Sequence, residues 1–238
     1  MRIQRMLKRY RDELGEPIAI YQARPGWKAW LLLFVILAAG FSVLVMGSDA
    51  GAPIIIGAGV GVVLLFYFFF YTQIGEFLAV CERGFAAGTI TYTVGYAPFI
   101  IRYDQIIPGT VVAMTHTKNL GEDIWNNFAN SRRPLSLIVS WYSQNAIYFV
   151  GPSVEDAHRG KNLGLESRFR ALTPDGHTSW IVPTGKDDAR TAIAHMSRAA
   201  ALLGLKGLAQ ASESVPVVKA IGSQGGLGEK LPGYVEWR

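Results

Sequence analysis

Chemistry-bearing side chains are scarce in this sequence. Cysteine occurs once, histidine four times, and Asp, Glu, Lys and Arg together make up 17% of 238 residues. The lone Cys81 excludes an internal disulfide and agrees with a reducing compartment. His116, His158, His177 and His195 have no ligand-like spacing. "EDAHRGK" (155–161) gathers Glu155, Asp156 and His158 in a polar stretch, whereas a metal site needs three or four convergent ligands. No strained nucleophile turn is visible. "GLGEK" (226–230) lacks the second half of a phosphate loop and a following helix. The sequence therefore predicts no enzyme, no cofactor, no metal site and no small-molecule ligand.

Basic residues are also absent where a nucleic-acid surface would need them. Residues 1–28 hold Arg2, Arg5, Lys8, Arg9, Arg11, Arg24 and Lys28 against Asp12, Glu13 and Glu16, while the whole chain carries +5. The charge is concentrated at one end, with no stripe of interleaved cations and aromatics, so nucleic acid is not expected as a partner.

Long apolar runs, by contrast, are present. "IIIGAGVGVVLLFYFFFY" (54–71) has glycines at 57, 59 and 61, but Val62 stands where a dinucleotide-binding turn needs its third glycine. The residues that follow are apolar on every side, as in a lipid-facing or deeply buried helix. Its length suits the hydrocarbon core of a bilayer, about 27 Å at 1.5 Å per residue. Residues 30–46, "WLLLFVILAAGFSVLVM", form a second uncharged run. The joining "GSDAGAP" is short, which implies antiparallel spans, and Pro53 suits a first helical turn. A second run so close behind the first favours an uncleaved hairpin over a signal peptide. Gly57 and Gly61 make a small-xxx-small pair for close helix packing.

The expected topology follows from the basic flank. Both termini are placed in the cytoplasm, giving a multi-pass protein of the cytoplasmic (inner) membrane. Trp27, Lys28 and Trp30 are assigned to the membrane interface. Upstream, Ile3, Met6, Leu7, Tyr10 and Leu14 recur at helical spacing, with Gly15 as a stop. The cations on the other face include Arg5 and Arg9. Such a helix either lies in the lipid interface or docks on protein.

From residue 76 the pattern becomes β-like. "FLAVCE" (77–82), "TITYTVG" (89–95), "FIIRY" (99–103), "TVVAM" (110–114), "LSLIVSW" (135–141), "AIYFV" (146–150), "SRFRAL" (167–172) and "SWIVP" (179–183) read as strands separated by Gly, Pro and Asn turns. A helix closes the unit, its face built from Ala189, Ile193, Met196, Ala200 and Leu203, with Asp187 and Asp188 in its first turn and Gly204 at its end. The expected fold is an α+β membrane protein: a two-helix transmembrane hairpin plus a small bent antiparallel sheet or barrel capped by a C-terminal helix. Its units are residues 1–28, 29–71 (spans about 30–46 and 54–71), 76–204 and an extended tail, 205–238.

"ARPGWKAW" leading into the hairpin, then "FLAVCERGFAAGTITYTVGYAPFIIRYDQIIP" with its Glu82-Arg83-Gly84 turn and Tyr103–Ile107 segment, resembles bacterial membrane proteins with a pleckstrin-homology-like (PH-like) domain. The resemblance spans about residues 23–204, and "THTKNLGEDIWNNFANSRRP" (115–134) departs from it as an insertion. It implies a binding or scaffolding module without catalytic residues. Headgroup recognition by that fold needs several cations near the first strand turn, where only Arg83 stands.

The tail is rich in Gly and Ser yet keeps apolar islands, Val215–Val218 and Leu231, Tyr234, Val235 and Trp237. Leu231, Tyr234 and Trp237 are read as partner-binding anchors, since aromatic residues in an extended segment suit a groove or an added strand. The functional expectation is a non-enzymatic scaffold or accessory subunit of a larger membrane complex, with the lipid bilayer and other membrane subunits as partners. The alternative is a membrane-anchored PH-like sensor of lipid or peptide.

Overall fold

The computed structural model describes residues 2–23, 31, 34–35, 38–42, 57, 59–64, 76–89, 98–117, 144–159, 175–219 and 231–233. Strands β1 (Pro17–Ala23), β2 (Glu76–Cys81), β3 (Gly84–Thr89) and β4 (Phe99–Arg102) form one antiparallel sheet in that order. A second sheet has the order β7–β6–β5–β8, built from β5 (Val112–Thr115), β6 (Asn145–Gly151), β7 (Thr178–Gly185) and β8 (Val217–Lys219). In this second sheet β5, β6 and β7 are antiparallel, but β8 lies parallel to β5.

Neighbouring side chains on a strand point to opposite faces, and here both faces are covered. On β2, Leu78 and Val80 enter the main core while Phe77, Ala79 and Cys81 belong to a second apolar layer behind the sheet. The main core joins Phe85, Phe99 and Ile101 of the first sheet to Phe149, Trp180 and Val182 of the second. Phe149 stacks on Trp180 at 6.4 Å, and Phe85 meets Phe149 edge-on at 5.3 Å. The Trp180 indole N–H donates to the Pro152 carbonyl at 2.8 Å, so the buried ring leaves no stranded donor.

Two helical segments complete the packing. α1 (Arg2–Leu7) and α2 (Arg11–Leu14), joined by a 3-10 turn, seal the outer face of the first sheet. Ile3, Leu7 and Leu14 pack there on Phe77, Ala79, Cys81, Ala86 and Ile100. Of the two readings of the N-terminal stripe, the structure takes docking on protein. Gly15 ends α2 at φ +76, its N–H donating to the Arg11 carbonyl at 2.8 Å. Following α3 (Val154–Ala157), α4 (Ala189–Leu202) caps the interior, burying Ala189, Ala192, Ile193, Met196 and Ala200. Asp188 caps α4 by accepting from the Arg190 N–H at 2.9 Å. Leu203 is the C-cap and is 45% exposed, so it leaves the face expected of it.

The expected transmembrane hairpin requires correction. Among the described residues no helix is long and apolar enough to cross a membrane. Much of 30–46 and 54–71 lies outside the described residues, where the helical ones are 31, 34–35, 38–42, 57 and 59–64. The membrane fold class and the multi-pass inner-membrane assignment, with both termini placed by it, are therefore withdrawn. The chain is α+β with one antiparallel and one mixed sheet. Phe34, Val35, Val62, Val63 and Leu64 are nonetheless exposed.

Residues 2–23 belong to the folded unit rather than to a separate flank, because β1 pairs with β2 from Pro17–Cys81 to Ala23–Glu76. The expected strands 135–141 and 167–172, and all of the 115–134 insertion after Thr117, lie outside the described residues.

Candidate binding surface

The outer face of the second sheet is apolar because β5 and β6 alternate around two buried sides. Val112 and Met114 of β5 point there with Ala146, Tyr148 and Val150 of β6. An exposed face of this composition would invite association, and the edge of β5 would add an open row of backbone groups. The chain's own tail covers both. After α4, the short helix α5 (Lys206–Ala209) and a 3-10 turn at Gln210–Ser212 bring residues 215–219 alongside β5.

Pairing there is Ala113 with Val217, Met114 with Val218 and Thr115 with Lys219, and the Ala113 N–H donates to the Pro216 carbonyl at 3.0 Å. Pro216 has no N–H to leave unpaired at the start of an edge strand. Val215 packs on the main core and Val218 on the outer face, while Val217 is 53% exposed. Farther along, Leu231 is buried against the outer face. The Tyr148 hydroxyl donates to the Pro232 carbonyl at 3.2 Å. Gly233, at φ +68, makes the turn after Leu231-Pro232 that the proline and a left-handed residue together favour.

The residues singled out in the sequence are scattered. Leu231 reaches this surface, whereas Tyr234 and Trp237 lie outside the described residues, as do Trp27, Lys28 and Trp30. Arg5 and Arg9 are exposed on the docked N-terminal segment. A Cβ added to Gly57 or Gly61 would meet no atom within 4 Å, whereas one on Gly59 would strike the Phe41 ring. The close approach thus falls on the glycine between the pair. The β5 edge was not anticipated, although "VPVV", β-branched residues around a proline, carries an edge-strand signal.

A cleft of about 450 Å³ lies elsewhere, lined by the charged Asp12, Glu13, Arg83, Arg102 and Asp104 and by Leu203 and Leu205. Its arginines are engaged: Arg83 donates to the Asp12 carbonyl at 3.0 Å, and Arg102 forks onto Asp104 at 3.0 Å. Those hydrogen bonds to Asp104 hold the Arg102 guanidinium above its ordinary pKa. His195 lies 2.8 Å from the Tyr21 hydroxyl, and burial pushes that phenol up. Asp156 takes part in a cap with Ser153, its carboxylate accepting from the serine hydroxyl at 2.7 Å. Among the described residues no group of three His, Cys, Asp or Glu could hold a metal.

Comparison with protein-family models, with curated proteins and with solved structures finds no match for this chain.

Proposed function

We propose that this protein is a non-enzymatic scaffold or accessory subunit, a PH-like module that binds partner proteins through its second sheet and C-terminal tail. A four-stranded sheet, a three-strand antiparallel continuation and a closing helix support the PH-like reading. The observation that carries the function is the tail itself. A peptide segment adds to the β5 edge and sets Leu231 into an apolar face, which is how strand-adding modules hold a partner. The transmembrane hairpin forms no part of the proposal.

The test is purification of the tagged full chain beside Leu231→Asp, with bound proteins identified by mass spectrometry. A partner present in stoichiometric amount, whose recovery changes with Leu231→Asp, is the expected result. Recovery of the chain alone in both cases overturns the scaffold reading.

A further inference from the structure

The tail strand is weakly built for the surface it covers. Among the described residues β8 has three, pairs on one side in the slightly less stable parallel arrangement, and leaves Val217 more than half exposed. What lies beneath it is specific. The Ala113 N–H needs an acceptor, the Val215 and Val218 sites take branched apolar side chains, and the Leu231 site takes a larger one beside the Tyr148 hydroxyl.

We propose that the β5 edge and the outer face beside it form a groove for an extended apolar peptide segment of a partner protein, and that residues 215–219 and Leu231 of the tail occupy it in competition. The inference rests on the scaffold reading and names the class of partner. The ligand is an extended stretch with branched residues around a proline, followed by a leucine-type anchor, since that chemistry is seated there now. Backbone pairing to Ala113 supplies affinity, and the apolar sites supply selectivity. A tethered competitor acts at an effective concentration on the order of millimolar, so a free peptide of micromolar affinity binds weakly until the tail lifts.

The probe is a fluorescein-labelled synthetic peptide of residues 211–233, titrated into the full chain and the full-length double variant Val218→Asp/Leu231→Asp. Hydrogen exchange of Ala113 is followed in parallel. The expected result is faster Ala113 exchange in the variant, with β6 and α4 still protected, and peptide affinity raised at least about tenfold by loss of the tethered competitor. Should the double variant lose protection in β6 and α4, the milder tail-side variant Leu231→Ala replaces it, with a several-fold gain expected.

Ala113 remaining protected overturns the proposal, as does an opened edge that leaves the peptide unbound. A concentration-dependent dimer that excludes the peptide overturns it too, assigning the groove to a second copy's tail. None of these outcomes depends on a cellular partner, so they can fail while the scaffold reading stands.

Discussion

The Tyr148 hydroxyl sits 3.2 Å from the Pro232 carbonyl and 3.2 Å from the Ser179 hydroxyl, joining the tail to the middle of the second sheet through one atom. Replacing Tyr148 with Phe keeps the buried ring and removes this link. A net hydrogen bond contributes about 1 kcal/mol, so the tail loosens while the sheet stays folded. Proteolysis within the tail should accelerate several-fold in Tyr148→Phe. An unchanged cleavage rate would mean that Leu231 holds the tail without help.

Leu14 is 1% exposed beneath the N-terminal segment, packed in the layer that contains Cys81. Leu14→Ala should cost about 2–5 kcal/mol, from lost burial plus the cavity left behind. Urea unfolding reads the cost. If the cost falls well under 1 kcal/mol, the segment is a loosely held cover rather than part of the cooperative unit.

Burial pushes the Cys81 thiol up to about 12, with the Glu82 and Glu16 carboxylates adding to the shift. The folded protein therefore holds a proton that the unfolded chain releases near 9.0, the ordinary thiol value. This contribution is complete below pH 9 and is lost as pH rises from 9 towards 12, by about 1.4 kcal/mol per unit. The tyrosines with raised pKa values, Tyr103 among them, add their own losses only from about 10. Unfolding midpoints between pH 8 and pH 10 should fall in the wild type and stay flatter in Cys81→Ala. Parallel slopes would show that the thiol ionises without regard to folding.

Arg159 grips Glu13 with Nη2 at 2.6 Å and Nε at 3.4 Å, and both side chains are 30% exposed. The pair ties the N-terminal helix to the chain after α3. Glu13→Gln should destabilise by roughly 1 kcal/mol or less, because solvent screens a pair at this exposure. The gap between wild type and variant should shrink in about 1 M salt, where the Debye length is near 3 Å. A gap indifferent to salt would point to packing instead of charge.

The closing helix was legible in the sequence because Ala189, Ile193, Met196 and Ala200 keep helical spacing and all are buried. The runs 77–82, 99–103, 110–114, 146–150 and 179–183 coincide with β2, β4, β5, β6 and β7 to within a few residues. β1 was not legible, since its seven residues follow a basic helix and find their partner at Glu76–Cys81, far along the chain. β8 was hidden for a similar reason. The edge-strand signal of "VPVV" is short and sits in a Gly- and Ser-rich tail, and the pairing with β5 is wholly tertiary. Hydropathy at 30–71 reports a preference for an apolar surrounding, and among the described residues no helix is long and apolar enough to cross a membrane. Gly59 meets Phe41, a contact that spacing along one helix does not reveal.

The pairing of Ala23 with Glu76 has a consequence for the order of events during synthesis. At about 5–20 residues per second, Glu76 is made roughly 3–10 s after Ala23. Through that interval Ile3, Leu7 and Leu14 have no Phe77 or Ile100 to cover, and β1 has no neighbour to accept its backbone. The earliest residues of the nascent chain must wait for β2 before they can take their places.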